Sequence, residues 1–273
     1  MIIEAGEALT LGTKSDSWLR FVEETKRPGA WRGNRLLYTG GRQAFELSFW
    51  CGTCQFLFQR LGGATEGGYI KAVQEKLARG IDGLQQDIIA EISPLLPKSV
   101  YLPLLLEISP RLVFPGGVDD YFAGEQVRTW GMVDFWGLPA NPHVPYYRTF
   151  QTVVDSESHL YEFVVPMVPP SWNEGDRVQE FEEILATGGK PTAVAISILD
   201  VCAPAVDDGP DWYYHWALTH FLIDGHHKME AAAKNHRQLR LLTLLSMSDG
   251  LSTTEQVSRI PDLRSQPAST HTA

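Results

Sequence analysis

Cysteine is scarce: the 273 residues hold three, Cys51, Cys54 and Cys202. A small odd number excludes the disulfide framework that staples small secreted domains. Long apolar runs are missing as well, and no stretch approaches the roughly 18 residues that a membrane span needs. The opening Met1-Ile2-Ile3-Glu4-Ala5-Gly6-Glu7 has neither the basic start nor the apolar stretch of a signal peptide. These absences predict a soluble, cytoplasmic protein with no membrane partner. Basic side chains are in deficit, 23 Lys and Arg against 33 Asp and Glu, for a net charge of −10. Such a chain has no general attraction for phosphodiester backbones or anionic lipid, which speaks against nucleic acid as a partner. Two chemical signatures are also absent. Gly62-Gly63 and Gly67-Gly68 lack the following Lys-Ser/Thr of a P-loop, and no Gly-x-Ser-x-Gly elbow occurs.

What is present builds a core. Apolar residues make up 44% and charged residues 21%, a globular composition. At about 150 residues per domain, the length suits two domains or one large one. Residues 35–50 read as a hairpin around Gly40-Gly41. Ile70, Val73, Leu77, Ile81, Leu84 and Ile88 fall at helical spacing, which predicts one long helix over 69–92, weakened by Gly80 and Gly83. Residues 98–170 are β-rich, with a hairpin from Tyr146–Val154 to Leu160–Met167 across Asp155-Ser156-Glu157-Ser158. Then the pattern changes. A helix over Arg177–Ala186 is followed by strands at Thr192–Val201 and Trp216–Ile223, a helix at Lys228–Lys234 and a strand at Leu239–Leu245. From Ser248 the chain is rich in Ser, Thr, Pro and Gln and predicts a flexible tail over 248–273.

The segment Ile223-Asp224-Gly225-His226-His227-Lys228 carries the most chemistry. It reads as strand, tight turn, helix. Gly225 permits the sharp turn and a close approach of a ligand to the backbone. Asp224 can cap the helix or hold magnesium, while the first helical amides and the helix dipole favour an anion. His226, His227 and Lys228 add donors at the same place, so phosphate is the natural guest. An ordinary strand-turn-helix with a capping Asp and surface histidines is the bland alternative. A transition-metal site through His226 or His227, with His215 or His220 nearby, is the other.

This turn resembles the signature of the ParB/sulfiredoxin-like superfamily, in which an Asp-Gly-His-His-Arg type turn opens a helix and binds nucleotide phosphates. The resemblance covers 175–247. It implies ATP, ADP or CTP with magnesium, and phosphotransfer or nucleotide hydrolysis on a small-molecule substrate. Asp224, His226 and His227 would then be catalytic, and Gly225, His226, His227 and Lys228 would hold the phosphates. The chain departs from the sulfiredoxins in having no cysteine at the turn. It departs from the partition proteins in having Gly225-His226-His227-Lys228 where they carry Gly-Glu-Arg-Arg. The nearest variety is that of the free serine kinases, with Lys228 in place of the usual Arg and Glu174, Asp176 or Glu180 in the neighbourhood of the base.

Phe49-Trp50-Cys51-Gly52-Thr53-Cys54 offers three further readings: buried thiols, half of a zinc site completed by Cys202 and a histidine, or a thioredoxin-like redox pair. Trp212, Tyr213, Tyr214 and Trp216 stack a base or, more blandly, cover the core. Lys234, His236, Arg237 and Arg240 form a small basic patch that either reaches phosphates or is a solvated turn. The expectation is an α+β fold with a mixed sheet. It comprises a β-rich N-terminal region (1–170, with the CxxC turn) and a ParB/sulfiredoxin-like unit (175–247). Its expected function is nucleotide binding. A non-catalytic module stabilised by zinc at Cys51 and Cys54, and thiol-disulfide chemistry, are the alternatives.

Overall fold

The computed structural model describes residues 1–12, 16–24, 34–47, 53, 56, 58–65, 70–130, 144–205 and 212–269. Two sheets organise them. The larger is mixed and runs β1 (Ile2–Ala5), β7 (Ser99–Ile108), β13 (Leu239–Ser246), β11 (Thr192–Cys202), β12 (Tyr214–Asp224), β10 (Ser158–Pro166), β9 (Tyr146–Asp155) and β8 (Arg111–Val113), with β2 (Leu9–Leu11) also on β7. The smaller is antiparallel in the order β3 (Leu19–Glu24), β4 (Asn34–Thr39), β5 (Arg42–Leu47), β6 (Phe58–Arg60). This is a mixed α and β architecture, consistent with α+β.

The centre of the large sheet follows from its composition. β11 is nearly continuous apolar sequence and buried along its length, as a strand covered on both faces must be. Its alternate residues serve two cores. Val194, Ile196 and Ile198 pack with Phe45, Phe58 and Phe221 beneath the small sheet. Ala193, Ala195 and Leu199 pack on the other face. There the cover is helical: α4 (Gly175–Ala186), α5 (His226–Lys234), α6 (Thr254–Ser258) and α7 (Ile260–Ser265). Val178, Phe181, Met229, Val257 and Ile260 are their buried contributions.

The two expected regions share this sheet. β7 from the first half pairs with β13 and carries β1 on its other edge, and β10 pairs in parallel with β12 over Ser158–Pro166. The hairpin of β9 and β10 forms across the polar turn at Asp155–Ser158 as expected, and Gly40 and Gly41 adopt the positive φ angles, 56° and 80°, of a tight β4–β5 turn.

Two expectations are corrected. The single helix over 69–92 is interrupted: α1 (Gln74–Arg79) and α2 (Gln86–Ile92) are separate. The break is at Gly80, with φ of 92°, where an added Cβ would lie 1.8 Å from the carbonyl oxygen of Lys190. Close packing against the approach to β11 therefore overrides the helical period, although Leu77, Ile81 and Ile88 are buried as the stripe predicts. The stretch read as a flexible tail instead forms α6 and α7. Thr253 caps α6 in a reciprocal capping box with Gln256, and Val257, Ile260, Leu263 and Arg264 are buried. Four well-spaced anchors compensate for a polar average composition.

Candidate functional site

The turn after β12 lies where three helices meet. β12 ends at Asp224, Gly225 is the N-cap of α5 with φ 95° and ψ 27°, and the helix starts at His226. Helices α4 and α5 pack together, and α1 closes the third side. Between them is a cavity of about 320 Å³, lined by Gln74 and Ala78 of α1, Glu174, Arg177 and Phe181 at α4, and residues 223–228.

Gly225 is required for two reasons. Its φ is in the left-handed region, and an added Cβ would stand 2.8 Å from the Cβ of Ala193 on the neighbouring strand. Gly225→Ala should lower stability by about 2–3 kcal/mol, combining the left-handed cost with local overpacking. Urea denaturation measures this, and a change below about 0.5 kcal/mol would mean that the turn relaxes freely.

The helix start is bare. No side chain caps it and its first turn has no acidic residue. The first intrahelical bond is Met229 N to the Gly225 carbonyl, 2.9 Å. The amides of His226, His227 and Lys228 therefore have no carbonyl of a preceding turn to meet, and the positive end of the helix dipole is at the cavity.

Asp224 does not cap α5. Its Oδ2 accepts from Lys228 Nζ at 3.0 Å, and Lys228 also donates to the Thr192 carbonyl at 2.9 Å. The ammonium lies 5.8 Å from the centre of the Phe181 ring. Lys228 is thus a buried brace between β11, β12 and α5.

The histidines face backbone amides. His226 Nε2 accepts from Met167 N at 3.1 Å, so the neutral ring carries its proton on Nδ1. Burial pushes its pKa down to about 4. His227 Nε2 accepts from Glu174 N at 3.2 Å, and burial lowers its pKa as well. Both rings hold the segment between β10 and α4 against the start of α5. The ladder fixing this arrangement is the sheet itself, since β10 runs parallel to β12 and delivers Met167 beside His226.

The five residues singled out at the turn are therefore gathered at one cavity, with their side chains largely engaged in holding it together. Sequence reasoning missed Arg177, Phe181 and Gln74. Arg177 is half-exposed, pairs with Glu180, and lies 5.6 Å over the Phe181 ring. Nothing in its helical position distinguishes it from any other surface arginine; only the fold brings it to the turn.

Cys51 and Cys54 lie outside the described residues. Thr53 between them is described, and its carbonyl accepts from Trp130 Nε1 at 3.1 Å. Trp130 meets His215 edge-on at 5.0 Å, and His215 is the ladder partner of Cys202. Both nitrogens of His215 are engaged, Nδ1 with the Tyr121 hydroxyl at 2.7 Å and Nε2 with Thr129 Oγ1 at 2.8 Å. Tyr213 stacks on His215 at 4.3 Å, whereas Trp216 packs in the core on the opposite, helix-covered face of the sheet. Among the described residues, no group of three or more His, Cys, Asp or Glu side chains is placed to hold a metal ion. Among them, too, no helix is long and apolar enough to cross a membrane.

No family model matches this chain, and neither do any curated protein or solved structure.

Proposed function

We propose that the protein binds the phosphate of a small molecule, a nucleotide on the ParB/sulfiredoxin-like reading, at the start of α5. The observation that carries this is the uncapped helix N-terminus behind a left-handed glycine, opening on a cavity of about 320 Å³. Three backbone donors and the helix dipole supply the anion site. Arg177 supplies a cation at its rim, and Phe181 gives it an apolar wall. The order of helix, strand, strand, Asp-Gly-His-His turn and helix supports the resemblance. The size suits a phosphate with a compact body attached, or the phosphate end of a nucleotide whose base rests outside.

Binding is favoured over turnover. His226 and His227 accept from main-chain amides, so neither offers a free basic nitrogen to a substrate. Asp224 is paired with Lys228, so magnesium would arrive with the ligand. Glu174 is the carboxylate of the cavity wall left for proton transfer.

The test is thermal unfolding with ATP, ADP, CTP, GTP and pyrophosphate, with and without magnesium. A ligand at 100 times its Kd stabilises by about 2.7 kcal/mol, which for a chain of this size raises Tm by roughly 5 °C. Arg177→Ala, at an exposed position, should weaken that ligand about tenfold while leaving the unliganded Tm unchanged. Absence of any shift across the panel would overturn the reading.

A further inference from the structure

A cavity of about 430 Å³ that the phosphate reading does not use lies at the far end of the large sheet. β12 is 11 residues long, from Tyr214 to Asp224. At about 3.3 Å per residue its ends stand about 33 Å apart. The start of α5 is at the Asp224 end and this cavity is at the Tyr214 end. Its floor is the helix-covered face of the sheet. Trp216 packs into that face, Tyr214 two residues before it points the same way, and Ser158 of β10 is the ladder partner of Tyr214. α6 contributes Gln256 from above, followed by Arg259, and the β9–β10 turn contributes Asp155 and Glu157.

Two polar groups of the floor are left over by folding. Trp216 is 3% exposed and Ser158 7%. Neither the indole N–H nor the hydroxyl has a hydrogen-bond partner among the described residues, and both reach the cavity rather than being sealed in protein. Buried Trp and Ser side chains ordinarily find partners. Gln256 adds a third group: its Oε1 accepts from Thr253 N at 2.8 Å, which leaves its NH2 to donate elsewhere. An aromatic surface stands beside them. Tyr214 is 40% exposed, and Trp212 meets its ring edge-on at 5.3 Å, so the fold holds the ring without covering it.

The charges around the cavity select a neutral guest. Arg259 lies 5.1 Å over the Trp216 ring and 4.0 Å from Asp155. Asp155 and Glu157 disfavour an anion, and Arg259 disfavours a cation. A ring of hydroxyl groups meets both kinds of partner, because each hydroxyl donates and accepts. Its C–H face is apolar and suits the Tyr214 ring. The volume is in the range of small-molecule sites.

We propose that this cavity binds a neutral sugar in its pyranose form. Tyr214 is the stacking platform, and Trp216 Nε1, Ser158 Oγ and Gln256 bond the hydroxyls. The site is independent of the cavity at the start of α5.

The probes are the methyl pyranosides of glucose, galactose, mannose and N-acetylglucosamine, with maltose and cellobiose. Each is titrated against the full chain at pH 7 and followed by saturation-transfer NMR. Glucuronate, glucosamine and adenine are the anionic, cationic and flat aromatic counterparts. At least one neutral sugar should bind saturably and more tightly than all three counterparts. Tyr214→Ala should weaken it at least about tenfold. Ser158→Ala removes one bonding group and should weaken it about fivefold. Arg177→Ala should leave it unchanged. The unliganded Tm of each variant reports whether it is folded. The proposal is overturned if no neutral sugar binds, if a counterpart binds more tightly, or if either folded variant, Tyr214→Ala or Ser158→Ala, binds as the wild type does.

Discussion

Arg35→Met should cost about 3–5 kcal/mol of stability, a large share of what holds a chain of this kind together. Arg35, on β4, reaches across the interface of the two sheets. Its Nη1 and Nη2 donate to Asp200 Oδ2 and Oδ1 of β11 at 3.2 and 3.0 Å, and Nη2 also donates to the Asp249 carbonyl at 2.9 Å. Both side chains are at most 6% exposed. Asp200 Oδ1 further accepts from Leu251 N at 2.7 Å, which ties the approach to α6 into the same cluster. Removing the guanidinium alone leaves a buried carboxylate without its main counter-charge, and that desolvated charge is the source of the loss. The double variant Arg35→Met with Asp200→Leu should recover much of it, because an apolar pair at that interface carries no unpaired charge. Urea denaturation of the two single variants and the double variant gives the coupling. A loss below about 1 kcal/mol for Arg35→Met would mean that the sheets are joined by apolar packing alone.

Neither Arg35 nor Asp200 stands out in the sequence, and the reason separates what is legible from what is not. Local periodicity marks elements that are held by their own pattern. β9 and β10 flank a polar turn, β11 and β12 are mostly apolar runs, and α4 has Val178, Phe181 and Leu185 on one face, so all five read correctly to within a few residues. Strand order is not local. That β7 lies between β1 and β13, and that β10 joins β12, are facts about partners far apart in sequence. The helix over 69–92 fails for the same reason, since Gly80 answers to Lys190 and not to its own neighbours. The candidate site divides likewise. The turn at Gly225 and the start of α5 are visible as residue types. The roles of His226 and His227 are not, because both are set by amides at Met167 and Glu174, on the far side of the β10–β12 crossover.

Those same contacts govern how the protein responds to acid. His226 is held neutral by burial, with its pKa brought from 6.5 down to about 4. In the unfolded chain it takes up a proton near pH 6.5, so the unfolded state binds more protons between that pH and about 4, and stability falls as pH falls through that window. At about 1.4 kcal/mol per pH unit, the loss is about 3 kcal/mol. Protonating Nε2 would also forfeit the bond from Met167 N. His215, whose pKa burial also pushes well below its ordinary value, acts in the same direction. A second window lies lower. Burial alone would raise the pKa of Glu162, but the Arg264 guanidinium at 3.0 Å, the nearby His220 and a bond from Thr149 Oγ1 at 2.6 Å override it and hold the carboxyl at about 2. Its ordinary value is 4.5. The contribution of this carboxylate is present above pH 4.5 and disappears as pH falls towards 2, again about 3 kcal/mol. Urea midpoints at pH 7, 5.5, 4 and 3 should therefore decline continuously. His226→Gln keeps an acceptor for Met167 N and removes a titrating group, so it should flatten the upper part of the decline. Glu162→Gln should be destabilised by about 3–5 kcal/mol at pH 7, since Arg264 is left buried without its partner, and its stability should no longer depend on pH below 4.5 through this group. A wild-type profile that stays level from pH 7 to pH 4 would show that His226 is solvated in the folded chain. A Glu162→Gln profile parallel to wild type below pH 4.5 would show that Arg264 and Glu162 do not pair. In that case α7, which the sequence presents as part of a polar tail, would be anchored by Ile260, Leu263 and the contacts of Arg264 with the Glu107 carbonyl and the Phe150 ring.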